Sequence, residues 1–177
     1  MDNDELEALI TKHLDHFYLQ RTQSLDGLKL IDILGYENPC LMRAIGTYRA
    51  NDIITSALTA HFDSLDGGIF SDTFFEPIAR VLIGKVIAPD ESAKLPGQPL
   101  WKKLAGVPGF YPLLIHLMET KAAYSKSYQA YQDAWSRAVN RCTREFIGGF
   151  CDESGTINWV KLVEFNSGNY DLDKFVA

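Results

Sequence analysis

Two short stretches set acids and a lysine in a pattern with a chemical use. Pro89-Asp90 is followed by Glu119-Thr120-Lys121. Two carboxylates and a lysine in this order, the PD-(D/E)xK pattern, can hold Mg2+ and activate a water for phosphodiester hydrolysis. That chemistry needs Asp90, Glu119 and Lys121 to converge from neighbouring strands of one sheet. Asp90 instead lies in a stretch rich in Pro and Gly, and Glu119 and Lys121 lie at the end of an apolar stretch of helical period. So loose a match arises easily by chance. A minimal nuclease built on these three residues, with Mg2+ as cofactor, is the alternative to a chain without catalytic residues, metal or cofactor.

Other groups are weighed in the same way. His13 and His16 flank Asp15 one helical turn apart, a spacing that can hold a divalent metal, but no third ligand is indicated. Gly67-Gly68 ahead of a helix could cradle an anion; Asp66 and Asp72 flank it and no lysine follows, so a plain turn is expected. Cys40, Cys142 and Cys151 have no local signature tying them to His61 or His116 as a base. Arg137, Arg141 and Arg144 fall on one stripe with Lys126 further up, a ridge that can meet a phosphate backbone. The same ridge, with Asp133 and Glu145 nearby, also reads as an ordinary solvated face.

The bulk properties narrow the classes. A chain of 177 residues, 46% hydrophobic and 12% aromatic, is long enough to bury a core and is expected to form one domain. The net charge of −6 announces neither a nucleic-acid nor a membrane partner, although a local basic face can coexist with it. Three cysteines without a C-x-x-C pair argue against a disulfide framework and a zinc site. The acidic stretch Met1 to Glu5 is unlike a basic signal sequence, and no apolar run is long enough to span a bilayer. The expectation is a cytoplasmic protein with no membrane partner.

The elements that would position these groups are helices throughout. From Tyr124 the apolar residues Tyr128, Tyr131, Trp135, Val139, Cys142, Phe146 and Phe150 recur at steps of three and four, one helical face. A helix of that length, roughly 40 Å, exceeds what a domain of this size needs for its own core. Its stripe, Tyr124, Tyr128, Tyr131, Trp135, Val139 and Phe146, is therefore expected to be a core seam or a dimer seam. Helices are also expected from Asp4 to about Gln20 or beyond Ser24, and through the apolar cluster Leu28 to Leu34. Glu37-Asn38-Pro39 breaks the chain, and Cys40 to Gly46 reads as an extended connector. A helix from Asp52 to Phe62 should stop at Asp66-Gly67-Gly68. It would form an antiparallel hairpin with a second helix, opened by Ser71 or Asp72 and ended by Gly84. Leu100 to Leu104, Leu113 to Met118 and, capped by Asn158, Trp159 to Phe165 complete the set. The fold class is all-α, a bundle of about six to seven helices with one long C-terminal helix. Its single domain divides into a helical half 1–84, a linker 85–99, a helical half 100–168 and a tail 169–177.

The runs Asn38 to Ala44, Asp52 to His61, Ile69-Phe70 and Val81 to Gly84 lie in the first half. In the second lie Leu100 to Leu104, Asn140 to Phe146, Phe150 to Asp152, Gly155 to Val163 and Phe165 to Gly168. On these runs, in this order, the chain resembles the PmeII-like type II restriction endonucleases with their middle taken out. The resemblance implies that the helical segments at the two ends build a dimerisation region beside an α/β nuclease core that carries the catalytic carboxylates. Here only Lys85 to Pro99 joins the flanks, too short for a mixed sheet, so no catalytic residue carries over. The implied protein is a non-catalytic homodimer, associated with DNA or with a full-length endonuclease relative, as a regulator or remnant of a restriction system. A third alternative is a small-ligand-binding helical protein with an aromatic pocket among Tyr124, Tyr128, Tyr131 and Trp135.

Overall fold

In the computed structural model the described residues are 3–35, 37–82, 102, 104–120 and 125–168. Every extended element among them is helical. The order is α1 (Asn3–Asp26), α2 (Leu30–Leu34), α3 (Pro39–Ala44), α4 (Ala50–Phe70), a π-helical turn (Ser71–Phe75), α5 (Glu76–Leu82), α6 (Phe110–Thr120), α7 (Lys126–Phe150) and α8 (Trp159–Asn166). The one extended pairing among the described residues is an isolated antiparallel bridge between Cys151 and Ile157. It closes the turn between α7 and α8, where Gly155 adopts φ +81. The all-α expectation holds. None of these helices is long and apolar enough to cross a membrane.

Two compact units are present: residues 1–23 with 65–133, and residues 24–64 with 134–177. In the first, α1 presents Leu6, Ile10 and Leu14 at successive turns to a buried cluster. Phe74, Ile78 and Ala79, and Leu104, Phe110, Leu114 and Leu117, complete that cluster. Each large side chain so buried contributes about 1.5–3 kcal/mol. In the second unit Ile53, Ile54, Leu58 and Phe62 of α4 are fully buried, as are Ala138, Cys142 and Phe146 of α7. A chain of ring contacts runs Phe146, Phe150, Phe165 at centroid separations of 5.2 and 5.3 Å.

Three local expectations are corrected. Cys40 to Gly46 is not an extended connector, because α3 starts at Pro39. The bias before proline acts on Asn38 alone, which is extended (φ −102, ψ 101) and whose side chain accepts the Leu41 N–H at 3.1 Å. Proline is well placed as the first helical residue, since its missing N–H would have had no intrahelical partner. Secondly, α4 does not stop at Asp66-Gly67-Gly68 but runs to Phe70 and, through the π-helical turn, into α5. There is accordingly no hairpin at this point. Two helical glycines cost roughly 1 kcal/mol each, less than the burial of Phe74 and Ile78 in the same run returns. Thirdly, Gly67-Gly68 form neither the plain turn expected nor an anion-cradling loop, being helical. The linker and tail, and with them Gly84, Leu100 and Trp101, lie outside the described residues.

The π-helical turn has a cause in Pro77. A proline gives no N–H to the carbonyl four residues back, and for Pro77 that carbonyl belongs to Thr73, within the turn. His13 Nδ1 of α1 lies 3.2 Å from it. The Glu76 N–H bonds to Ser71, five residues back. Around the turn, Phe70 stacks on Phe74 at 4.7 Å and meets Phe17 edge-on at 4.8 Å.

Candidate functional site

Of the three residues in the nuclease pattern, Glu119 is exposed on α6. Asp90 and Lys121 lie outside the described residues. The group around His13 does not converge. His13 turns to the Thr73 carbonyl, His16 lies 3.4 Å from the Gln20 amide, and Asp15 accepts from the Ser127 hydroxyl. Among the described residues no three His, Cys, Asp or Glu side chains are placed to hold a metal. The cysteines are free thiols. Burial pushes the Cys142 and Cys151 thiols up, away from the thiolate form that nucleophilic chemistry uses.

The arginine ridge of α7 is divided in its engagements. Arg141 is half-buried and donates to the Leu25 and Leu28 carbonyls at 3.0 and 2.8 Å. It thereby satisfies backbone acceptors at and just beyond the end of α1, where carbonyls lack intrahelical donors. Arg137 is exposed and 3.5 Å from Asp26. Arg144 is also exposed, its Nε donating to the Asn140 carbonyl at 3.3 Å. Lys126 is exposed at the start of α7.

Along α7 the buried residues are Tyr131, Ala134, Ala138, Cys142, Phe146 and Phe150. The stripe thus runs one residue away from Trp135 and Val139, which are half-buried. Ala134 and Ala138 take those positions, and a small side chain is a weaker signal in a sequence than an aromatic. Trp135 packs on Phe62 at 5.8 Å. Tyr128 and Tyr131 pack on Tyr18 at 5.1 and 6.0 Å. Tyr124 lies outside the described residues.

Two arrangements went unseen in the sequence because their partners are distant along the chain. In the first unit Arg21 pairs with Asp66 at 2.9 Å, with side chains 14% and 29% exposed, and lies 4.5 Å from the Tyr131 ring centroid. Burial, with Tyr128 and Tyr131 close by, pushes the Tyr18 hydroxyl up. Burial does the same to Tyr131 against the opposing effect of Arg21. Both phenols therefore stay protonated, as donors and not as bases. In the second unit Arg43 of α3 lies 4.6 Å from the Tyr48 ring centroid and 5.9 Å from that of Trp159. Arginine spaced five residues before tyrosine is the faint local signal for this stack, and nothing local points to Trp159.

Among known proteins, the family model described as type II restriction endonuclease EcoO109I matches residues 4–93, just over half of the 177-residue chain. No curated protein and no solved structure matches. The matched span includes α1 to α5 and with them Arg21, Arg43, Tyr48 and Asp66.

Proposed function

We propose, from the premise that the chain belongs to the type II restriction endonuclease EcoO109I family, that it is a non-catalytic helical dimerisation protein. It keeps the frame of such an endonuclease, of the PmeII-like kind, without the nuclease core. It acts in the cytoplasm as a regulator or remnant of a restriction system, through DNA or a full-length relative. The observation that supports this reading is the helical structure described on both sides of the segment Lys85 to Pro99. A core with strands would have to fit between those flanks, and the segment is too short for one.

The homodimer belongs to the same reading. Since the chain itself covers the α7 stripe, the pairing face is sought among exposed apolar residues, of which Leu41 on α3 and Ile45, the residue that caps its C-terminal end, are 57% and 71% exposed. Duplex DNA would be met by Arg137 and Arg144, the exposed arginines of the ridge. Sedimentation equilibrium of the full chain should give twice the monomer mass, and Leu41→Glu with Ile45→Glu should shift it to monomer. A monomer at all concentrations would remove the dimer from the account. Duplex binding should weaken steeply with salt and further in Arg137→Gln with Arg144→Gln; no binding at low salt would remove the DNA branch.

A further inference from the structure

The stretch from Asn38 to Asn51 carries two arginines, Arg43 and Arg49, and no carboxylate. Both are exposed, and Tyr48 between them is 59% exposed. Neither arginine makes an ion pair among the described residues. The Arg43 guanidinium lies over two rings, 4.6 Å from Tyr48 and 5.9 Å from Trp159. Stacking engages the faces of a guanidinium and leaves the N–H donors at its edge, a planar fork that matches phosphate oxygens two at a time. The rings also reduce the rotamer freedom that Arg43 would otherwise lose on binding. Arg49 sets a second cation next to Tyr48 in the chain. On α3, at about 100° per residue, Arg43 points away from Leu41, so this patch is separate from the proposed dimer face.

We propose that Arg43, Tyr48 and Arg49 form a binding site for single-stranded nucleic acid, with phosphates on the two guanidinium groups and an unstacked base against Tyr48. An exposed ring beside cations is the arrangement that captures single strands, because every base has a π-face to stack. An intact duplex hides those faces, which separates this site from the duplex association of Arg137 and Arg144; it stands whether or not that association is found. An acidic peptide could use the two forks but would leave the Tyr48 ring without a role.

The test is fluorescence anisotropy of a labelled oligothymidylate titrated with the full chain over a salt series, beside a labelled duplex. Wild type should bind the single strand more tightly than the duplex, and Tyr48→Ala should weaken it about tenfold or more. Tyr48→Phe, which keeps the ring, should bind as wild type. Arg43→Gln and Arg49→Gln should each weaken binding and lower the salt slope by about 0.7. Arg43→Lys should keep the slope and lose affinity. The site is refuted by absence of binding in wild type, by equal binding in Tyr48→Ala and Arg43→Gln, or by equal losses in Tyr48→Phe and Tyr48→Ala. Displacement of the oligonucleotide by poly-glutamate as readily as by unlabelled oligothymidylate would identify an acidic-peptide surface and also overturn it.

Discussion

His13 and Arg141 each supply hydrogen bonds that a helix cannot supply for itself, and each can be tested one residue at a time. Arg141→Ala removes charged donors from the Leu25 and Leu28 carbonyls and should cost about 2–3 kcal/mol, read as a shift in the urea midpoint. Arg137→Ala loses an exposed contact to Asp26 and should cost less than about 0.5 kcal/mol. Similar losses in both would contradict the assignment of Arg141 to the end of α1. For His13, burial is the first cause that lowers its proton affinity; Lys12 and His16 act the same way, against the bond to Thr73. A lowered folded-state pKa means that the unfolded chain takes up the proton first as pH falls. Stability is therefore full above the ordinary imidazole value of 6.5 and declines as pH falls below it toward the folded value. His13→Gln should flatten that decline, and His16→Gln, which removes only a lesser cause of it, should leave most of it in place; equal behaviour of the two variants would refute the link.

At the scale of elements, the glycines report where helices continue. Gly67 and Gly68 lie within α4, and a Cβ at either meets nothing within 4 Å. Gly67→Ala and Gly68→Ala should each stabilise by about 0.5–1 kcal/mol. Gly155, at φ +81 in the turn before α8, should lose about 1–2 kcal/mol on the same change. Destabilisation at Gly67 or Gly68 would restore the hairpin expected from Asp66-Gly67-Gly68. The contrast also says what was legible in the sequence. The members Tyr131, Cys142, Phe146 and Phe150 of the α7 stripe and the Asn158 cap of α8, whose side chain accepts the Lys161 N–H at 3.0 Å, follow from local spacing and local hydrogen bonds. The run through Gly67-Gly68 does not, because local propensity there is overruled by burial of Phe74 and Ile78 from elsewhere in the fold. Pro39 misled for a related reason: one residue type breaks a helix in its interior and opens it at its first position. Of the candidate sites, the ridge could be read from spacing, but the capture of Arg141 by α1 could not. The contact of Arg43 with the Tyr48 and Trp159 rings joins α3 to a residue near the other end of the chain.

For the whole molecule, the function proposed above is that of a family frame without its cutting core. Phe146, fully buried in the second unit, should show how far that frame depends on α7. Phe146→Ala should cost about 3–5 kcal/mol, enough to unfold much of a marginally stable chain at room temperature, as seen by circular dichroism. A loss below about 1 kcal/mol would contradict the burial of that stripe. The most direct test of the central claim is a cleavage assay. The full chain is incubated with Mg2+ and supercoiled plasmid, at protein concentrations where sedimentation defines the oligomer. The account predicts that the plasmid stays uncut. Discrete fragments that vanish with a chelator, and in Asp90→Ala or Glu119→Ala, would contradict it and make the chain a minimal nuclease.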